Sequence, residues 1–85
     1  MDTNQYNKYK CPCCGYYTYD RQPDNTYEIC EVCFWEDDGL QLDDPNMAGG
    51  ANTISLNEAR INFKKYGACE ERFVENVRPP LDEEK

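Results

Sequence analysis

The sequence predicts a small α+β fold, in which a β-hairpin module held by cysteines packs against one or two C-terminal α-helices. Paired cysteines, aromatic strand-like runs and a capped helical segment support this prediction. The chain has 85 residues, and a chain of this length buries only about 60–65% of its unfolded surface, so its core needs reinforcement. We expect one domain over residues 1–85, with an ordered core at about 8–80 and loosely ordered ends at 1–7 and 81–85.

The predicted hairpin comes from the front of the chain. Residues 16–19 (YYTY) and 27–29 (YEI) are aromatic and β-branched runs, which favour strands. Residues 20–25 (DRQPDN) between them are dense in turn formers. The pattern therefore predicts that 16–19 pairs with 27–29.

The predicted helices come from the back half. Ser55 is followed three residues later by Glu58, a spacing typical of a capping box, and apolar residues then recur at helical spacing until Gly67. A helix over 56–66 is predicted. A second, shorter helix is predicted over about 69–77, because acids occupy its first turn and Pro79 ends it.

The cysteines point to a metal site. Cys11 with Cys14 and Cys30 with Cys33 form two C-x-x-C pairs separated by fifteen residues, and the chain has no histidine. This spacing is typical of a four-thiolate zinc site. A hairpin that brings the two pairs together around one ion is a zinc ribbon, in which the binding energy of the metal becomes folding energy.

Several alternatives to a structural zinc ion stay open. A rubredoxin-like iron centre uses the same four sulfurs, and the six cysteines of the chain could also form disulfides or act in redox chemistry. We interpret Cys13 as a bystander thiol and Cys69 as a core residue, although either could have a chemical role.

Charge suggests the kind of partner. Seventeen acids against nine bases give a net charge of −8, which disfavours nucleic acid. Residues 27–44 contain seven acids and no lysine or arginine. A calcium loop is excluded there, because Gly39 at its sixth position would place Phe34 at the first ligand position. An aromatic residue beside acids is typical of an interaction surface, and the predicted partner-binding residues are Trp35, Glu36, Asp37, Asp38, Asp43 and Asp44. The alternative is that the acidic middle, residues 36–44, is a solvated connector, which is the commoner role of a run of charges.

Two further features in this region have structural interpretations. Phe34 is predicted in the core, and Trp35 could serve either the core or a partner. Residues 49–52 (GGAN) precede the capped helix; they could bind an anion at the helix N-terminus, but flexible turn residues leading into a cap explain them adequately.

Three segments together resemble the bacterial cysteine-rich CPCC family: CPCCGYYT at 11–18, CEVCFWEDDG at 30–39 and GAN-x-x-SL at 50–56. The resemblance covers roughly residues 10–80. It implies a bacterial origin and no established activity. Genes of this kind look like those that accompany polymorphic toxins, which suggests by analogy an immunity role.

The sequence thus predicts a small intracellular zinc-binding protein that acts as a protein–protein interaction module and neutralises a basic partner of the toxin kind. No catalytic residues are predicted, no small-molecule substrate is inferred, and neither a secretion signal nor a membrane span is evident, so we expect a cytoplasmic protein. The alternatives are a nucleic-acid-binding zinc ribbon, with Arg60, Lys64 and Lys65 as its basic face, and an iron or redox protein.

Overall fold

A computed structural model describes residues 3–85 of the chain. Two strands, β1 (Tyr9–Lys10) and β2 (Tyr17–Tyr19), form an antiparallel hairpin, followed by helices α1 (Gly39–Asp43) and α2 (Leu56–Tyr66). Two single-turn 3-10 helices lie at Glu71–Phe73 and Asp82–Glu84. The predicted α+β class is confirmed.

The hairpin lies at a different place from the one predicted. β1 pairs with β2, with Tyr9 opposite Tyr19, so this hairpin encloses the first cysteine pair. Ile29 pairs instead with Glu36 across the second cysteine pair, and Tyr27 has a left-handed φ of 60° that a strand does not allow. Each C-x-x-C turn is therefore flanked by two short segments that pair with each other, which we call a ladder. The predicted pairing of 16–19 with 27–29 is wrong.

The predicted helix over 56–66 is confirmed as α2. The hydroxyl oxygen of Ser55 accepts a hydrogen bond from the Glu58 amide at 3.1 Å. Gly67 ends the helix with a φ of 82°, and its N–H donates to the Phe63 carbonyl. Leu56 and Ala59 are buried on the inner face, as the apolar spacing indicates.

The predicted helix over 69–77 is wrong. Only Glu71–Phe73 is helical, as a 3-10 turn, and Glu70 before it is extended. The Cys69 N–H donates to the Cys33 carbonyl at 2.7 Å. This hydrogen bond holds the chain against the second cysteine pair. The residues that follow form only i→i+3 hydrogen bonds, which are the pattern of a 3-10 helix.

Helix α1 and a polar core lie in the acidic middle, where the sequence predicts only a connector. The Asp38 carboxylate caps α1 by accepting from the Leu40 amide at 2.9 Å. Gln41, fully buried, donates to the carbonyls of Met47 and Ile54 at 3.0 Å. Its side-chain oxygen accepts from the Asn52 backbone and side-chain amides. These amides satisfy one another, so their burial costs little.

The apolar core consists of cysteines, aromatics and small aliphatic residues around the two cysteine pairs. Its completely buried large members are Trp35, Tyr19, Leu56 and Val32. Trp35 thus belongs to the core, and Phe34 packs against it in a half-buried position, its ring 4.6 Å from that of Phe73.

The chain ends are tied to the body. Glu84 is buried and forms two hydrogen bonds, of 2.7 and 2.8 Å, with the guanidinium of Arg78, and Asn4 donates to the Glu83 carbonyl. These contacts join Asn4 and Glu84 to the rest of the chain, whereas residues 1 and 2 lie outside the described part, so the predicted loose order of the ends stays a prediction. Within residues 3–85, the helices are too short and polar to cross a membrane.

Candidate metal centre

The first cysteine pair forms a tight turn at the tip of the β1–β2 hairpin. The Cys11 amide donates to the Tyr16 carbonyl at 2.8 Å, and the Gly15 amide donates back to the Cys11 carbonyl at 2.9 Å. Gly15 has a φ of 83°, a conformation that glycine adopts without steric cost. The turn directs both cysteine side chains to one side.

The second pair repeats this geometry. The Cys30 amide donates to the Trp35 carbonyl at 2.9 Å, and the Phe34 amide donates to the Cys30 carbonyl at 2.8 Å. Phe34 occupies the position of Gly15 and has a φ of 73°. The two turns, residues 11–16 and 30–35, are thus equivalent; we call them the first and second knuckles.

The knuckles bring four sulfurs together. The ligand atoms of Cys11, Cys14, Cys30 and Cys33 all lie within 4.8 Å of one another. The Cys11–Cys33 and Cys14–Cys30 sulfurs are 3.6 and 3.7 Å apart, too far for disulfides, whose bond is about 2.05 Å. The four residues predicted as ligands are therefore close enough to bind a metal ion.

The four sulfurs influence one another strongly. Hydrogen bonding with Cys11, and then with Cys14, lowers the pKa of Cys30. Hydrogen bonding with Cys11 is also the main cause that raises the pKa values of Cys14 and Cys33. One thiolate is thus favoured and further ones are opposed, because like charges repel in a site shielded from water. A divalent cation offsets this repulsion and releases protons when it binds.

Two hydroxyl groups beside the sulfurs were not predicted from the sequence. Thr18 donates from its hydroxyl to the Cys30 sulfur at 3.0 Å. The buried Tyr19 hydroxyl donates to the Trp35 carbonyl at 2.9 Å, and burial raises its pKa. Both residues lie on β2, so this strand supports the second knuckle. Side chains that orient metal ligands are a usual feature of such sites, but their positions depend on tertiary contacts.

The other two cysteines are buried beside the cluster and outside it. Cys13 and Cys69 are 8% and 1% exposed and belong to the core, as the sequence predicts for Cys69. Burial raises the pKa of the Cys69 thiol to about 12, so this side chain stays neutral and behaves as a small apolar residue.

A family model described as Cysteine-rich CPCC matches residues 9–84, which is nearly the whole chain. The chain belongs to this family. No curated protein matches the sequence. The CPCC match begins at β1 and ends at Glu84, so it includes both knuckles, α2 and the C-terminal segment tied by Arg78.

The GAN segment of the CPCC chain has a structural role. A Cβ at Gly50 would lie 2.5 Å from the Asp38 carboxylate and 3.0 Å from Gln41, so only glycine fits. The Ala51 amide donates to that carboxylate at 2.8 Å. Asn52 pairs through its side chain with the backbone N–H and carbonyl of Glu36. The segment thus joins α1 to Glu36, which directly follows the second knuckle. These residues are packed and hydrogen-bonded, unlike the flexible turn residues that the sequence indicates.

Three of the six predicted partner-binding residues are buried. Trp35, Asp37 and Asp38 are 1%, 0% and 5% exposed. Asp37 accepts hydrogen bonds from the amides of Asp24 and Thr26 and from the Thr26 hydroxyl, while Asp38 caps α1. The carboxylates of Asp37 and Asp38 hold loops in place and Trp35 lies in the core, so these three residues do not form a contact surface in the folded chain. Glu36 is half-buried, and Asp43 and Asp44 are exposed.

Proposed function

We propose that this CPCC chain binds one zinc ion through Cys11, Cys14, Cys30 and Cys33. The observation that supports it best is the spacing of the sulfurs. Four sulfurs placed tetrahedrally at about 2.3 Å from a zinc ion are about 3.8 Å from one another, and the two measured pairs are 3.6 and 3.7 Å apart. The sulfurs of these two pairs are thus separated by nearly the distance that a bound zinc ion requires, and all four sulfurs lie within 4.8 Å of one another.

The proposed role of the metal is structural. Four sulfur ligands complete a tetrahedral shell and leave no position open for a substrate, which distinguishes structural from catalytic zinc sites. Three of the four cysteines are also at most 1% exposed. The ion joins the two knuckles, and the remainder of the chain packs on them. We therefore propose a binding protein rather than an enzyme.

Metal removal tests this proposal. Elemental analysis of freshly purified protein should give one zinc per chain, and a strong chelator should abolish the folded far-UV circular dichroism and the cooperative melting transition, which zinc restores. Visible absorbance separates the iron alternative, because ferric tetrathiolate centres are coloured and zinc centres are not. Metal-free protein that melts like the untreated sample would contradict a structural role.

We further propose that the zinc-stapled module binds a basic protein, in the manner of an immunity protein that neutralises a toxin. The net charge of −8 supports this, as do the exposed side chains of Asp43 and Asp44. Carboxylates facing lysines and arginines speed association and favour selectivity. Such a toxin would be a protein with a cationic active cleft, such as a nuclease, and the encounter would take place in the cytoplasm.

Co-purification with the product of the adjacent gene tests the partner. Binding should weaken with salt and fall several-fold in the double variant Asp43→Asn, Asp44→Asn. The matched control is Glu71→Gln, Glu75→Gln, which removes the same charge from exposed positions after α2. Equal weakening by both variants, or no binding to any cationic neighbour, would contradict the proposal. Salt-sensitive binding to an oligonucleotide instead would favour the nucleic-acid alternative.

A further inference from the structure

A cavity of about 450 Å³ opens beside the first knuckle. Its walls come from four parts of the chain: the end of β1 and the knuckle itself, the loop at 22–23, α1 and α2. The volume lies in the range of small-molecule sites. The wall combines apolar surface from Leu42 and Pro23 with polar groups from Gln22, Lys10 and Arg60.

The charge of the cavity is opposite to that of the chain. Two cations, Lys10 and Arg60, line it, and no aspartate or glutamate does so among the described residues. The chain as a whole has 17 acids against nine bases, so two cations without an acid form a local positive site on a negative protein. Such a site concentrates small anions.

Arg60 is held in place by hydrogen bonds, and the Lys10 stem lies over the first knuckle. The Arg60 guanidinium donates from Nε to the Pro12 carbonyl at 2.9 Å and from Nη1 to Asn57 at 3.3 Å. Within residues 3–85, its Nη2 has no hydrogen-bond partner, and Lys10 has no ion pair. The Lys10 Cε lies 3.8 Å from the point where a Cβ on Gly15 would be, so the Lys10 side chain extends over the knuckle. A guanidinium whose plane is already held loses little entropy when it binds an oxyanion.

We propose that this cavity binds a small organic anion, in which a carboxylate or a phosphate contacts Arg60 and Lys10 and an apolar part packs on Leu42 and Pro23. The cavity is a binding site separate from the four-sulfur cluster, although the outer side of the first knuckle forms one wall. A competing role for the two cations is to balance the charge of −2 on four thiolates around a divalent ion. If the two cations bind the anion, removing one charge weakens anion binding and leaves the zinc content unchanged. If they only balance the thiolate charge, the same change lowers the zinc content and leaves anion binding unchanged.

Binding is tested on the full, zinc-loaded chain by amide NMR titration at constant ionic strength. Phenyl phosphate, benzoate and inorganic phosphate are the probes, since the first two join an oxyanion to an apolar ring and separate the two anion types. We expect saturable amide shifts confined to the non-proline residues that line the cavity, at 10, 11, 13–15, 22, 42 and 60, with phenyl phosphate or benzoate binding more tightly than inorganic phosphate. Absence of saturable shifts with all three would overturn the proposal.

Variants separate the cavity from general charge effects. Arg60→Gln and Lys10→Gln should each weaken binding about tenfold, which is the loss of roughly one charged hydrogen bond, with one zinc per chain retained. Lys65→Gln is the matched control, because Lys65 is exposed on α2, lies over the Tyr66 ring and does not line the cavity. Equal weakening by the control, or loss of zinc without loss of anion binding, would overturn the proposal.

Discussion

The two knuckles have the same backbone conformation but a different residue at the equivalent position, glycine in the first and phenylalanine in the second. Gly15 and Phe34 both have positive φ values, and for a residue with a Cβ this conformation costs about 1–2 kcal/mol. The Phe34 ring packs against the Phe73 ring with centroids 4.6 Å apart. An aromatic pair contributes about 0.5–1.5 kcal/mol beyond its buried area, so this contact offsets much of the backbone cost.

Gly50→Ala should lower the free energy of unfolding by about 1–3 kcal/mol. The new methyl group would lie 2.5 Å from the Asp38 carboxylate, and the cap of α1 would have to move. Urea unfolding of the zinc-loaded protein measures the change. Gly49→Asn is the control, because Gly49 has open space around it and asparagine tolerates its φ of 82°. A Gly50→Ala variant as stable as this control would show that the contact is not constraining.

Cys30→Ser should abolish the cooperative unfolding transition. The change removes one of four sulfurs and leaves an incomplete shell, so the metal no longer contributes its binding energy to folding. Circular dichroism and zinc content measure the loss. Cys13→Ser is the matched control, since this thiol is buried beside the cluster but outside it, and we expect one zinc per chain with a smaller loss of stability. A native-like melt for Cys30→Ser would contradict a structural metal.

At the level of elements, hydrogen bonds from buried amide side chains hold α1 in place, where a longer chain would use apolar packing. Asn52 and Gln41 join three segments: Glu36 after the second knuckle, α1 and the stretch that enters α2. Amide side chains suit this position because each can donate and accept at once. The linkage explains why so short a helix as α1, five residues, is stable where it lies.

Asn52→Ala should lower the free energy of unfolding by about 2–4 kcal/mol, because it leaves the part-buried backbone N–H and carbonyl of Glu36 without these partners. Chemical denaturation with zinc bound measures this. Asn76→Ala serves for comparison: Asn76 is exposed, and we expect a change within about 0.5 kcal/mol. Similar losses in both variants would show that the Asn52 side chain does not link the elements as we infer.

For the whole molecule, the C-terminal segment closes the structure on the second knuckle. The Arg78 amide donates to the Glu31 carbonyl at 3.2 Å, and its guanidinium holds Glu84 through two hydrogen bonds. The knuckle is thereby contacted from a segment about fifty residues later in the chain. A ligand turn held in this way is pre-positioned for its metal.

Stability should depend on pH through Glu84. Hydrogen bonding with Arg78 lowers the pKa of Glu84 in the folded chain, below the unfolded value of about 4.3. The ion pair therefore stabilises fully above that value, and this contribution is lost as the pH falls through the folded pKa. Glu84→Gln should cost about 1–2 kcal/mol at pH 7, and the difference from wild type should shrink below about pH 4.

Unfolding in urea across pH 3–7, with zinc present, measures this difference. Acid also releases the metal by protonating the thiolates, but this affects wild type and variant alike. Glu83→Gln is the control, because Glu83 is exposed next to Glu84 and should show no such pH-dependent difference. A Glu84→Gln deficit that is constant across the range would exclude the carboxylate as its source.

The residues of the candidate site were predictable because a C-x-x-C spacing is a local property: two residues suffice to form the turn that directs both sulfurs to one side. Helix α2 was predictable for the same reason, since its cap at Ser55, its apolar spacing and its Gly67 terminus are all adjacent in the chain. These signals need no knowledge of the remainder of the fold.

Tertiary structure decided three features: which strands pair, the absence of an α-helix over 69–77, and the burial of Trp35, Asp37 and Asp38. In each case contacts made in the folded chain override the local preference. The strands pair within the two knuckle ladders, and the Cys69 amide donates to the Cys33 carbonyl. The Asp37 carboxylate accepts hydrogen bonds from loop amides. From sequence alone, an acidic residue is expected to be exposed. The backbone amides that donate hydrogen bonds to it, and so reduce the free-energy cost of burying it, come from elsewhere in the chain.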